Sequence, residues 1–164
     1  MKISEHFTLE EFILSDTAIR HGYENKPNQQ QIANMVALCV NVLEPLRYAL
    51  GQVKGKQIPI IINSGFRDKR VNALVGGKWN SQHTEGKAAD LRALGIPVHE
   101  FYALTKQIIE KNKFEVDQLI FEFDSWIHVS YNVGNPQRGD FLIASKNPAG
   151  KTIYTKDEKK IMQA

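Results

Sequence analysis

The sequence predicts an α+β domain, with helices packed on one small antiparallel sheet. Three observations carry that expectation. Apolar residues recur at three- and four-residue steps through the first third of the chain. Short runs rich in β-branched and aromatic residues cluster in the second half. Two of those runs are separated only by Asp124-Ser125, which is hairpin spacing. Helices first and strands together later is the segregation typical of α+β folds.

The first helix is announced by a capping box. Thr8 precedes Glu11 by three residues, and Phe7 can staple onto Phe12. Leu9, Phe12 and Ile13 supply its apolar face. A polar stretch from His21 to Gln31 follows. Asn28 can then cap a second helix, with Gln31 in the box position. Ile32, Met35, Val36, Cys39, Leu43, Leu46 and Leu50 form its stripe, which is expected to end at Gly51. Pro45 lies inside the pattern and predicts a kink. Cys39 falls on the apolar stripe, where a thiol behaves as a small hydrophobe.

Ile58 to Ile62 reads as a buried strand with Pro59 near its start. Asp68 to Leu74 has room for one or two helical turns. Gly76-Gly77 breaks the chain, and a polar loop runs from Lys78 to Gly86. Ala88 to Leu91 begins another strand. Pro97 opens a helix whose inner face is Val98, Phe101, Leu104, Ile108 and Ile109. Strands are expected at Gln118–Phe123, Trp126–Tyr131 and Phe141–Ala144. Residues 1–150 make one domain, and 151–164, with four Lys and two acids, read as a polar lysine-rich tail.

Composition narrows the function classes. The 164 residues are 42% hydrophobic and 24% charged, ordinary for a globular domain and unlike a disordered chain. A net charge of +3 is too weak to argue for nucleic acid. One cysteine excludes an internal disulfide and a Cys-rich metal site. No apolar run approaches the ~20 residues of a spanning helix. Met1-Lys2-Ile3-Ser4-Glu5-His6 has no apolar region behind its charge, so the chain as written is expected in the cytoplasm.

Of five histidines, two sit in unusual places. His83 lies in a loop, seven residues before Asp90 at a strand, and Gly86 lets the backbone turn between them. His128 lies mid-strand. Alternation puts Trp126, His128 and Ser130 on one face, with Ile127 and Val129 toward the core. Two imidazoles and a carboxylate are a ligand set that leaves zinc an open fourth position. Core histidines satisfied by hydrogen bonds would give the same spacing, so from the residues alone both a metal site and a structural role stand open.

The pattern Ser81-x-His83-x-x-Gly86-x-Ala88-x-Asp90, followed by Trp126-x-His128, resembles the zinc D-Ala-D-Ala carboxypeptidase family, peptidase family M15. That group holds D-Ala-D-Ala carboxypeptidases and dipeptidases and phage L-alanyl-D-glutamate endolysin peptidases. Asn63-Ser64-Gly65-Phe66-Arg67, Asn72, Gly76-Gly77 and the opening Phe7-Thr8-Leu9-Glu10-Glu11-Phe12 are also similar to it. The likeness runs from about Phe7 to Ser145. It implies a hedgehog-like zinc fold and one Zn2+ on His83, Asp90 and His128. It implies Arg67 beside the scissile carbonyl, where a guanidinium steadies a developing oxyanion. An ion pair of Arg67 with Asp68 or another acid is compatible with that role. The substrate implied is a peptidoglycan stem peptide, hydrolysed by a single chain acting as a monomer, with no nucleic acid or membrane span. A phage lysis enzyme of this kind accumulates in the cytoplasm and is released to the wall by a partner membrane protein.

The general base departs from the pattern. Some members carry an acid three residues before the last histidine, and here that residue is Ser125. Glu122 is the preferred candidate, as a glutamate six before the last histidine also occurs in the related hedgehog fold. Strand parity would let Glu122 face His128 across the ladder. Asp124 is the alternative base. Ser81 and Trp126 are candidate substrate contacts, although Ser81 is expected chiefly to hold its loop. Trp79 is expected to pack within its loop. The runs Lys78–Gln82 and Asn132–Asp140 are expected to wall the cleft. A non-catalytic zinc-containing binding module of the same fold is the competing function.

Overall fold

The computed structural model describes residues 1–158. The chain begins with α1 (Leu9–Ile13), α2 (Asp16–His21) and α3 (Gln29–Leu38). A π-helical turn at Cys39–Leu43 leads into α4 (Glu44–Lys54). After β1 (Ile60–Ser64) come α5 (Lys69–Leu74), a 3₁₀ turn (Gln82–Glu85) and β2 (Ala88–Ala93). Then follow α6 (Val98–Asn112), β3 (Gln118–Glu122), β4 (Trp126–Ser130), β5 (Asp140–Lys146) and β6 (Thr152–Lys156). The strands form one sheet in the order β1-β2-β4-β3-β5-β6. Every pairing is antiparallel except β3 with β5, so the sheet is mixed. The α+β expectation holds, with that one parallel pair added.

Both capping boxes form. The Thr8 backbone N–H donates to Glu11 at 2.7 Å, and Asn28 with Gln31 closes the second box. The α3 stripe does not stop at Gly51. It continues to Lys54, and Gly55 closes it with φ of 66°, the left-handed conformation glycine adopts without strain. Pro45 has no N–H to give the preceding turn, and the chain takes a π turn just before it. Cys39 is fully buried there, and burial pushes its thiol up to about 12, which fits a packing role.

Alternation divides the sheet into two faces. Ala89, Leu91, Leu119, Ile127 and Val129 are fully buried on the face that carries the core. Phe101 of α6 joins them, as do Leu38, Leu46 and Leu50 from α3 and α4. Asp90, His128 and Glu122 therefore belong to the opposite face. Asp90 pairs directly with His128 across β2 and β4.

Three further findings depart from the sequence reading. First, α2 was not expected. Ser15 caps it by accepting from the Ala18 N–H at 3.2 Å, and Gly22 ends it at φ 64°. Second, Thr152–Lys156 of the stretch read as a tail is edge strand β6, while residues 159–164 lie outside the described residues. Third, the β3–β4 register places Ile120 opposite His128 and Glu122 opposite Trp126. Glu122 thus keeps the face of His128 but lies diagonal to it. The reason is the turn. It uses Phe123, Asp124 and Ser125, with positive φ of 55° at Phe123 and 53° at Asp124, rather than two residues. A bulky residue there carries a strain of about 1–2 kcal/mol, and no glycine signalled the turn.

Candidate metal centre

His83 is delivered by the 3₁₀ turn, and that turn is built from several sides. Ser81 caps it, its hydroxyl accepting from the His83 N–H at 3.3 Å, so Ser81 does hold its loop. From α3, Gln31 donates to the Thr84 carbonyl at 2.9 Å and Asn34 to the Glu85 carbonyl at 2.8 Å. Gln82 donates to Asp117 at 2.9 Å. Asp117 is fully buried and also accepts from Arg138, whose Nε lies 3.1 Å away. Burial opposes the Asp117 charge, yet the Arg138 and Gln82 donors hold its carboxyl below the usual range. The 132–139 loop, expected as a cleft wall, braces His83 from behind through Arg138.

Gly86 ends the turn at φ 71°, against α3. A Cβ there would meet the Gln31 carbonyl at 2.5 Å, so glycine is required for both conformation and space.

The three ligand candidates converge. His83 Nε2 lies 3.2 Å from His128 Nδ1 and 3.2 Å from Asp90 Oδ1, and His128 Nδ1 lies 3.0 Å from Asp90 Oδ1. All three residues are buried. His83 Nδ1 sits 2.7 Å from the Gly65 carbonyl. A carbonyl only accepts, so Nδ1 carries the proton and Nε2 turns its lone pair toward His128 and Asp90. Burial keeps the His83 imidazole neutral by pushing its pKa down, against the pull of Asp90. Burial alone would raise Asp90, but the two imidazoles hold its carboxyl far below the ordinary range.

These three atoms are grouped closely enough that they could hold one cation between them. A tetrahedral ion with bonds of ~2.0–2.2 Å separates its ligands by about 3.3–3.6 Å, a few tenths of an ångström wider than the 3.0–3.2 Å spacing seen. The donor set of two imidazoles and one carboxylate fits zinc. The Gly65 carbonyl on the far nitrogen of His83 is the outer partner such ligands use to fix their orientation.

Arg67 enters from the loop after β1. Its backbone N–H donates to the His83 carbonyl at 3.1 Å. Asn25 ties the same loop to α1, donating to the Ile13 and Phe66 carbonyls and accepting from the Asp68 N–H. The Arg67 guanidinium lies 3.9 Å from Asp90, while Asp68 pairs with Arg70. Arg67 Nε is buried with no hydrogen-bond partner among the described residues. Burial lowers the guanidinium pKa, and Asp90 and Glu122 oppose that.

Glu122 accepts from the Trp126 indole N–H at 2.9 Å. Burial and the Asp90 charge push its carboxyl above the ordinary glutamate range. Asp124 sits exposed at the turn. A cleft of about 480 Å³ lies alongside, lined by Asp90, Arg67 and Trp126 and on its other side by Ser15, Asp16 and Arg20 around α2. Its α2 wall was missed, although Ser15 and Gly22 were punctuation that marks a short helix. Trp79 is 87% exposed, which corrects the expectation that it packs within its loop.

Gly65 shows how closely the site depends on its frame. It follows an irregularity in the β1–β2 register between Ile62 and Ser64. A Cβ on Gly65 would lie 2.6 Å from the Phe12 carbonyl. Gly65→Ala is expected to destabilise the fold by about 1–3 kcal/mol and, by shifting the carbonyl that orients His83, to weaken metal affinity roughly 10–100-fold. Thermal unfolding and metal titration of the variant check both effects.

Fold and site together define an α+β domain with a candidate mononuclear metal centre opening onto a cleft. Residues 5–130 match the Peptidase M15 family, and the chain belongs to it. Among curated proteins it is similar to the zinc D-Ala-D-Ala carboxypeptidase of Streptomyces albus G, 45% identical over 51 residues. That alignment covers 31% of this chain and 18% of the relative, so the chain matches under a fifth of that protein. No helix among the described residues is long and apolar enough to cross a membrane.

Proposed function

We propose that the chain is a zinc peptidase that hydrolyses an amide bond in peptidoglycan stem peptides. The observation that carries this is the buried His83–Asp90–His128 set beside an arginine-lined cleft in an M15 chain. His83, Asp90 and His128 would hold one zinc ion, which supplies Lewis acidity to a water and to the scissile carbonyl. Glu122 takes the proton from the attacking water and passes it to the leaving amine. Trp126 holds Glu122 in place through its indole N–H. Arg67 directs its guanidinium at the carbonyl oxygen as that oxygen gains charge. Ser81 acts by fixing the His83 turn. In the non-catalytic alternative the half-buried Glu122 would serve only as acceptor of the Trp126 indole N–H.

Two stem-peptide bonds fit this chemistry. The similarity to a D-Ala-D-Ala carboxypeptidase favours removal of the terminal D-Ala, and an L-Ala–D-Glu cut uses the same groups. Mass spectrometry of digested peptidoglycan separates them. Carboxypeptidase action shortens the stem by one alanine, and endopeptidase action releases a peptide beginning at D-Glu. Intact stems after digestion with the zinc-loaded chain overturn both.

A further inference from the structure

The sheet face that carries Trp126 at the cleft wall continues, past Glu122, onto residues after the family match. β5 and β6 follow residue 130, the last residue matched to the family. They widen the sheet on the Glu122 side. Register places Trp126, Glu122, Ala144 and Tyr154 in one row across β4, β3, β5 and β6. Tyr154 therefore shares the face of Glu122. The two are two strands apart, roughly 10 Å between backbones. Ala144, with only a methyl side chain, stands between them in the row.

β6 is fixed in place. The Tyr102 hydroxyl donates to Asp157 at 3.1 Å, and Lys106 Nζ lies 3.1 Å from the same carboxylate. The Asp157 N–H donates to the Phe141 carbonyl at 2.8 Å.

From the other side, the loop after α5 reaches over to this strand. Lys78 Nζ lies 5.1 Å from the centre of the Tyr154 ring. The backbone at Lys78 is held in place. Buried Asn72 donates to the Lys78 carbonyl at 2.8 Å, and the Ser81 N–H donates to the same oxygen at 3.0 Å. Gly77 packs so tightly that a Cβ would collide with the Asn72 side chain. The Lys78 ammonium has no acidic partner within ion-pair distance among the described residues. Burial, with the charges of Glu122 and Asp90, pushes the Tyr154 phenol up, so it stays a hydrogen-bond donor at neutral pH.

We propose that Lys78 and Tyr154 form a carboxylate-binding subsite of the peptide cleft, taking a free carboxylate of the substrate on the Glu122 side of the scissile amide. The ammonium supplies charge, and the phenol supplies a directed O–H. The ring beneath Lys78 orients the ammonium. The proposal rests on the peptidase reading and deepens it.

The test uses two synthetic stem peptides that differ only in one carboxylate replaced by its carboxamide, with the zinc-loaded full chain. Lys78→Met is expected to raise KM for the acidic peptide about ten-fold, the loss of one charge-assisted hydrogen bond. It leaves kcat and the amidated peptide unchanged. Tyr154→Phe gives a smaller rise, and Lys78→Arg restores the preference. Equal effects of Lys78→Met on both peptides, or none on the acidic one, overturn the subsite. If the wild-type chain cleaves neither peptide, the peptidase reading falls. The subsite is then decided by calorimetry, where Lys78→Met weakens acidic-peptide binding about ten-fold or refutes it by leaving that binding unchanged.

Discussion

His83→Ala is expected to remove bound zinc and stem-peptide hydrolysis together. The side chain presents one ligand atom and is itself held by the Gly65 carbonyl, so its loss opens the site from both sides. A metal ion contributes several kcal/mol of transition-state stabilisation, so turnover should fall by at least about 10³-fold. Circular dichroism separates this from unfolding, and His21→Ala serves as the control. His21 stacks on Tyr23 away from the cluster and should change neither zinc content nor rate. A His83→Ala chain that keeps its zinc and its activity would refute the ligand assignment.

Glu122→Gln is expected to separate metal binding from turnover. The amide keeps the shape and still accepts from the Trp126 indole, so zinc stays bound. It takes up no proton, and loss of general-base catalysis costs about 10²–10⁴-fold in kcat. The pH profile gives a second signature. Glu122 works only when ionised, so rate falls as pH drops through its pKa. Burial, the larger cause, raises that pKa and moves the acid limb above the ordinary glutamate value of about 4.3, while the Asp90 charge adds to this only in the metal-free chain. The variant should lack this limb. Asp124→Asn, at the exposed turn, should stay within about two-fold of wild type, on the order of 0.4 kcal/mol. The reverse pattern, with Asp124→Asn inactive and Glu122→Gln active, would move the base to the turn.

What was legible in the sequence follows from how local each signal is. The metal-ligand candidates were readable because His83, Gly86, Ala88 and Asp90 lie within one short segment. His128 sits on a strand whose alternation fixes its face. Capping boxes at Thr8 and Asn28 were readable for the same reason, since each closes over three residues. Tertiary pairings were not. The register that moves Glu122 diagonal to His128 depends on a turn in which Phe123 takes a glycine-like backbone. β6 looks polar in sequence because its edge position leaves most of it exposed, and β5 together with Asp157 holds it in the sheet. The brace from Arg138 through Asp117 and Gln82 to the His83 turn joins residues up to 56 apart in sequence, which no pattern within one segment reveals.

The measurement closest to the centre of this account is a zinc titration of the chelated chain, followed by release of stem-peptide fragments. Activity absent from the chelated chain should return in proportion to zinc and saturate at one ion per chain. Full turnover by the chelated chain, or saturation of zinc binding with no fragment released, would contradict it.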